Sequence, residues 1–582
     1  MTMLKKLYRF FSKNNFSKYF LILLGSISWS LVMVKSGLCW NKGCEGGLGF
    51  WGANGHDGIW HIALTESLSK GDFSMPVFAG YAIQNYHIGF DLILAGLHKL
   101  TSIPIVNLYF QILPVVLSIS VGFLVYKFVE TWQKSKNAAF WATFFVYFGG
   151  SWGFLVSLLR GNGWGGESMF WSQQSISTLI NPPFALSLVI ILLGLTNLQK
   201  YLTNKSKLNF ILAVLFFGAS IFIKVYAGLL VLTALLVCGL YALVINHQSS
   251  ILKIFSLSLI LSMLLFIPFN KSSVGLVTFA PFWFLESMVA FADRFNWQRM
   301  YSAMTTYRMG EIWFKAIPAY GLVFTIFILG NFGTRIIALK MLPLKFKKIF
   351  SSSAVSVFLF TVITAGIIAP MFFVQKGTPW NTIQFFYYSL FFTGIWAGIA
   401  ATQLIEKIKR RYNALSALTF SVVIILLTIP TTLSSLGNYL SAEPQSILPK
   451  EEMEALEFLS KQPVGTVLTY PFDKVKANLA ESPKPLSRYV STAYVSAFSG
   501  QNVYLEDEMN LDIMQYPWKE RRESQESFLN TSDADSASKY LRDNRINYIY
   551  WLNGEHTKVG TEHLMVTEIF QNNSVTIFKV VY

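Results

Sequence analysis

The chain has 582 residues, 53% of them hydrophobic and only 13% charged, about half the roughly 25% charge of a soluble globular protein. With 16% aromatic residues, a mean hydropathy of +0.45 and repeated apolar runs near the about 20 residues that cross a bilayer, it is excluded as an ordinary cytosolic enzyme and predicted to be a polytopic membrane protein. A net charge of +16 would suit nucleic acid, but its placement argues against that partner: from Tyr439 onward there are 20 acidic and 14 basic residues, and before it 33 basic and 11 acidic.

The first apolar stretch, about Tyr19 to Val34, follows Lys5, Lys6, Arg9, Lys13 and Lys18. Val34-Lys35-Ser36-Gly37 offers no small-residue cleavage site, which predicts an uncleaved first span rather than a signal peptide. Ten further spans are expected at about 105–126, 138–158, 183–199, 208–223, 227–246, 252–269, 314–333, 353–374, 383–403 and 414–434. Alternate connections carry Lys127, Lys134 and Lys136; Lys200, Lys205 and Lys207; Lys253; Arg335, Lys340, Lys345, Lys347 and Lys348; and Lys407, Lys409, Arg410 and Arg411. Basic connections face the cytoplasm. Eleven spans then put the N-terminus in the cytoplasm and the C-terminus outside, in a multi-pass cell-membrane protein whose longest outer segments run from Cys39 to about Pro104, Arg160 to Pro182 and Asn270 to Lys315.

Composition changes after Gly437. Residues 1–437 read as a multi-span membrane domain with outer-face surface helices in 39–104, and residues 438–582 as a soluble extracytoplasmic α/β domain. Lys450–Lys461 and Leu529–Asn544 have helical spacing; Gly465–Tyr470, Asn547–Trp551 and Val575–Val580 have strand composition. Cys39 and Cys44 lie together on the expected outer side, either disulfide-bonded or as two thiols; the third cysteine is Cys238.

The first outer segment contains Gly52-Ala-Asn-Gly-His-Asp57-Gly-Ile-Trp-His61, continuing to Glu66, Gly71 and Pro76. Ile59, Ile62, Ala63 and Leu68 recur at helical intervals, predicting a helix along the membrane surface with Asp57 at its start. Asp57 either only caps that helix or, sharing a face with His61 four residues on, contributes to acid/base chemistry or a metal site.

An acid just after the first span, a surface helix reading Asp57-x-x-x-His61-x-Ala63 and on to Leu68 and Gly71, then Pro76 and a loop into a second apolar segment, resembles the GT-C fold glycosyltransferases. These include protein O-mannosyltransferases, aminoarabinose transferases and oligosaccharyltransferases. The resemblance implies a polytopic enzyme taking a sugar from a polyprenyl-phosphate donor on the outer face, with Asp57 as general base or metal-contacting carboxylate. Many members have two adjacent acids where this chain has Asp57-Gly58. A second carboxylate must then come from elsewhere, Glu45 and Glu167 being the candidates. A divalent ion, Mg or Mn, would draw on Asp57, His61 and Glu167.

Other candidates are substrate ligands. His87 precedes Asp91 by one helical turn and is either its partner or a sugar or phosphate ligand. Lys376, with Asn381 and Gln384 at the outer junction of two spans, offers a cation and polar groups for a lipid phosphate; a snorkelling lysine is the alternative. Lys224 joins two spans on the same side. The lack of a nucleotide-binding fingerprint fits a lipid-linked donor in contact with membrane lipid. The acceptor is not identified by any motif. The competing classes are a transporter or flippase of a lipid-linked or polar solute, for which sparse charge within spans and unrepeated halves argue poorly, and a non-catalytic GT-C-like binding protein.

Overall fold

A computed structural model describes residues 16–270, 276–342 and 353–581. Lys5, Lys6, Arg9, Lys13, Lys345, Lys347 and Lys348, counted above toward topology, lie outside the described residues. The chain divides into two compact units. One comprises Met1–Val32, Pro114–Pro268 and Val277–Asn438, the other Met33–Leu113, Phe269–Leu276 and Tyr439–Tyr582.

The first unit is helical, as its apolar runs require, because a backbone in hydrocarbon must satisfy its own hydrogen bonds. Among the described residues of the chain, eight helices are long and apolar enough to cross a membrane, or nine if one bent pair counts as a span. The first and fifth of the eleven expected spans are shorter helices, Phe16–Ser30 with 15 residues and Lys207–Ile223 with 17. Lys207–Ile223 is bracketed by the left-handed Lys205 and the extended Lys224. The expected third span is the bent pair, Lys136–Phe148 and Gly153–Leu159, set at 51°. Two glycines make that break: a Cβ at Gly150 would stand 2.4 Å from Thr431 Oγ1, and one at Gly149 2.5 Å from Phe145 O.

Small residues also let helices approach. A Cβ on Gly398, in Gln384–Arg411, would lie 2.1 Å from Ala142 N in Lys136–Phe148, the close backbone approach by which membrane helices gain dispersion contacts. Trp29 Nε1 donates to Tyr147 O at 2.9 Å and Tyr147 Oη donates to Ser118 O at 2.7 Å, tying three helices through buried polar groups. Asn181-Pro182-Pro183 opens the helix Pro182–Asn204, with the Asn181 side chain accepting from Phe184 N at 3.1 Å.

The second unit carries the two larger sheets, while the strands Val277–Phe279 and Phe373–Gln375 pair in the first. Short strands Leu38–Cys39, Leu48–Phe50, Ser446–Leu448 and Lys484–Pro485 form one sheet in that order, so the segment after the first helix pairs directly with the tail. Cys39 and Cys44 form a disulfide. The tail's main sheet comprises β1 (Thr466–Thr469), β2 (Asn502–Val503), β3 (Ile546–Leu552), β4 (Val566–Gln571) and β5 (Val575–Val580), in the spatial order β4-β5-β3-β1-β2. β1 is parallel to both β2 and β3, whereas β5 is antiparallel to β3 and β4. The helix expected over 529–544 is two, Trp518–Asn530 and Ala534–Asp543, because Asp533 caps the second with bonds to Asp535 N and Ser536 N. Pairing also extends to the early segment: Val503 N donates to Pro76 O at 2.7 Å and Ala79 N to Val503 O at 2.9 Å.

Candidate functional site

Asp57 begins the helix Asp57–Ser69, with His56 as the cap residue. Eleven of its 13 residues are buried, so it is an internal helix of the second unit and not the amphipathic surface helix expected. Its first turn meets the π segment Leu108–Ile112: a Cβ at Gly58 would come within 2.5 Å of Phe110 Cζ and 3.2 Å of Tyr109 Cε1. Position 58 is therefore glycine for packing, and a second acid there has no room.

The Asp57 side chain keeps 46% of its surface exposed. Its Oδ1 lies 3.0 Å from His56 Nδ1, and the other ring nitrogen of His56 is 3.6 Å from Oδ1 of Asp507, whose side chain is fully buried. Burial works against a charged ring at His56, but the Asp507 carboxylate, with Asp57, outweighs it and pushes the imidazole up to about 10. His56 is thus an imidazolium at neutral pH, holding an exposed carboxylate in front and a buried one behind. Asp507 also caps the helix Glu508–Ile513, accepting from Asn510 N at 3.1 Å. Glu45, one of the two candidates for a second carboxylate, is exposed at the end of the disulfide loop. The carboxylate next to the Asp57–His56 pair is Asp507, and the Tyr504-Leu-Glu-Asp-Glu508 run was its only trace in the sequence.

His61 has a separate role. Its Nδ1 bonds Asp91 Oδ1 at 2.7 Å, with the two side chains 3% and 0% exposed, and its ring stacks on Tyr109 at 5.7 Å. His87 lies ahead of the helix Gly89–Thr101, not on it, so the one-turn spacing that suggested an Asp91–His87 pair does not apply; its ring stacks on Tyr86 at 4.4 Å.

The first unit holds the remaining candidates. Glu167 Oε1 accepts from Gln174 N at 2.8 Å and Oε2 from Ser435 Oγ at 2.6 Å. Burial pushes the Glu167 carboxyl up, and the hydroxyls of Ser435 and Ser177 with the Gln174 amide counter it. Gln174 extends this network, because its side-chain oxygen accepts from Arg335, which also donates to Asn331 O at 2.8 Å and Phe332 O at 3.1 Å. Arg335 is 1% exposed. It lies in the 3-10 helix Gly333–Met341 that follows the helix Trp313–Phe332, and is buried there where an exposed loop base was expected. Lys224, also buried, donates from Nζ to Asn181 Oδ1 at 3.2 Å. Gln375 Oε1 accepts from Tyr226 Oη at 3.2 Å and Asn381 Nδ2 at 2.9 Å, and Gln384 donates to Asn381 Oδ1, while Lys376 beside this row is exposed.

Among the described residues no three His, Cys, Asp or Glu side chains gather as a metal site. The expected set of Asp57, His61 and Glu167 is dispersed over separate partners: His56 for Asp57, Asp91 for His61, Ser435 and Gln174 for Glu167. The donors present do not fit a Mg or Mn centre built from them.

No family model matches the sequence, and no curated protein matches it. Solved structures do match. The archaeal oligosaccharyltransferase AglB from Archaeoglobus fulgidus, in complex with an inhibitory peptide and a dolichol-phosphate, aligns with a TM-score of 0.50 at 12% identity, over 92% of this chain and 69% of that one. The arabinofuranosyltransferase AftD from Mycobacteria aligns with a TM-score of 0.53 at 12% identity, over 97% of this chain. The chain has the GT-C fold. This chain spans only 40% of AftD. An A. fulgidus oligosaccharyltransferase holding Zn and sulfate aligns with a TM-score of 0.51 at 11% identity, over 91% of this chain and 68% of that one. GT-C neighbours of this kind are membrane glycosyltransferases, in agreement with the many apolar helices here.

Proposed function

We propose that the protein is a membrane glycosyltransferase that moves a sugar from a polyprenyl-phosphate donor to an acceptor hydroxyl on the outer face of the membrane. The observation that carries this reading is the exposed Asp57 carboxylate at the head of a buried helix in a GT-C fold, oriented by a cationic His56. The dolichol-phosphate bound by AglB supports a lipid-linked donor. The Cys39–Cys44 disulfide supports an oxidising compartment for the Asp57 unit.

In the proposed reaction Asp57 accepts the acceptor hydroxyl's proton as that oxygen bonds to the anomeric carbon. The bond from that carbon to the phosphate oxygen breaks, and polyprenyl phosphate leaves with the electron pair. His56 keeps the carboxylate aimed and offsets its charge. Within the helical unit, Lys376 beside the Gln375–Asn381–Gln384 row is proposed as a phosphate ligand, with Lys224 supporting the adjoining backbone through Asn181. His87 is proposed as a further substrate ligand in the Asp57 unit, where the buried His61–Asp91 pair would hold the helix behind Asp57, and Glu167 is proposed to position its own loop in the helical unit.

The test is turnover by nanodisc-embedded protein of a panel of polyprenyl-phosphate sugars, followed by mass spectrometry. Donor consumption by the wild type and its loss in a folded Asp57→Asn variant are expected. Undiminished transfer by Asp57→Asn would refute the mechanism.

A further inference from the structure

The tail contains a cavity of about 210 Å3 that has no part in the reaction above. It lies where three strands end together. Tyr470–Asp473 follow β1, Leu505, Glu506 and Glu508 follow β2, and Asn553–Glu555 follow β3, and all contribute to its wall. β1 is the central, parallel partner of β2 and β3, and the chain passes from β1 to β2 on one side before crossing to β3 on the other. Loops leaving the carboxyl ends of parallel strands diverge at such a reversal, and the crevice they leave is where open α/β sheets bind ligands.

The wall has the chemistry of a polar, uncharged ligand. Carboxyl groups of Asp473, Glu506, Glu508 and Glu555 face it together with Lys476 and Arg488. Most of that charge is already committed. Asp473 accepts from Val475 N and Lys476 N, Glu506 from Val495 N and Ser496, and Glu508 is paired with Arg522. Burial pushes the Glu506 carboxyl up to about 8 and the Glu555 carboxyl up to about 7, so neither is a fixed anion at neutral pH. A cation would meet Arg488 and Lys476, and an anion would meet the acids. A neutral molecule with many hydroxyls matches donors and acceptors of both kinds, and Tyr470, Tyr494 and Tyr550 in the wall add aromatic surface for its C–H groups.

Among the described residues three hydroxyls in the wall, those of Ser487, Thr492 and Tyr550, are unspent. Thr492 is 4% exposed, and its hydroxyl has no hydrogen-bond partner in the protein. A buried hydroxyl left this way costs about 1–3 kcal/mol, a cost that a ligand hydroxyl in the cavity removes. The cavity is below the about 300–1,000 Å3 of sites for drug-sized ligands, which limits the occupant to one small ring. We propose that it is a saccharide subsite, holding a single neutral sugar ring at the carboxyl ends of β1, β2 and β3. The inference does not rest on the transferase reading, because a non-catalytic protein of this fold would bind the ring equally.

The test uses the full chain in nanodiscs and saturation-transfer NMR with D-glucose, D-galactose, D-mannose, D-arabinose and N-acetyl-D-glucosamine, their methyl glycosides and the matching disaccharides. At least one sugar gives a saturable signal. Stronger binding of the disaccharide marks a glycan end and stronger binding of the free sugar a soluble ligand. Thr492→Val, which keeps the side chain's shape, lowers affinity about tenfold, the loss of about 1.4 kcal/mol, and Thr492→Ser restores it. Absence of saturable binding across the panel overturns the proposal. So does binding that survives both Thr492→Val and Glu555→Gln unchanged.

Discussion

His56 stands between two carboxylates, with Asp57 Oδ1 at 3.0 Å from one ring nitrogen and the buried Asp507 Oδ1 at 3.6 Å from the other. Asp507 lies 450 residues beyond the adjacent His56 and Asp57, yet one charge decides the state of all three. The ring is raised from 6.5 to about 10, so the folded protein binds a proton that the unfolded chain releases near pH 6.5. The stabilisation is complete below that value and is lost as pH rises through about 10. Melting temperature measured from pH 6 to 10.5 should therefore fall on the alkaline side. His56→Gln should lower it at pH 7 and flatten the slope; an unchanged slope would assign the alkaline loss to another group.

Glu452 supplies a second pH dependence with the same sign. Burial, reinforced by the Glu555 carboxylate, pushes it up to about 8 from 4.5, against the opposing pull of Arg488. Its neutral form is the one that folds best, and stability is lost as pH rises through 8. Glu452→Gln should raise the unfolding temperature at pH 9 and leave it nearly unaltered at pH 4, read by tail-reporting tryptophan fluorescence. A variant less stable than wild type at pH 9 would show that the carboxylate itself is needed.

The His61–Asp91 pair should tolerate removal of one partner badly. Both side chains are buried, and breaking a buried pair leaves an uncompensated group at about 3–5 kcal/mol. His61→Leu is expected to reduce folded yield and denaturant midpoint far more than Asp57→Asn, whose carboxylate is half exposed. Equal losses for the two variants would show that Asp57 also carries a structural burden.

Gly58→Ala tests whether position 58 is reserved by packing. The new Cβ would approach Phe110 Cζ to 2.5 Å, and overpacking of this kind costs about 1–3 kcal/mol. The double variant Gly58→Ala/Phe110→Leu should recover part of that loss in thermal unfolding. No recovery would place the strain elsewhere in the turn.

Arg335 should prove sensitive to charge-retaining replacement. Its guanidinium spans Asn331 O, Phe332 O and Gln174 at once, a geometry that a lysine ammonium cannot reproduce. Arg335→Lys is expected to loosen the 167–180 segment, visible as faster proteolysis or hydrogen exchange there. Unchanged protection would mean that Glu167 and Ser435 hold the segment alone.

Local pattern was the legible part of this molecule. Apolar runs near 20 residues gave the helices, β-branched and aromatic runs gave β1, β3 and β5, and the spacing of Ile59, Ile62, Ala63 and Leu68 gave the helix at Asp57. What stayed hidden depended on distant residues. Asp507 cannot be matched to His56 by any periodicity. Arg335 reads as a loop base because hydropathy averages over its window, whereas its acceptors are carbonyls freed at helix breaks. Asp91 found His61, 30 residues away, through tertiary packing of two helices.

The sheet joining Leu48–Phe50 to Ser446–Leu448 has a consequence for biosynthesis. Translation at about 5–20 residues per second leaves the early strand waiting on the order of 20 to 80 seconds for its partner, while every intervening helix is made. Asp57 gains Asp507 only after that interval. A nascent or truncated chain that stops short of Asp507 therefore carries the helix and the carboxylate without their setting, so synthesis must pass Asp507 before His56 can be locked in the charged state.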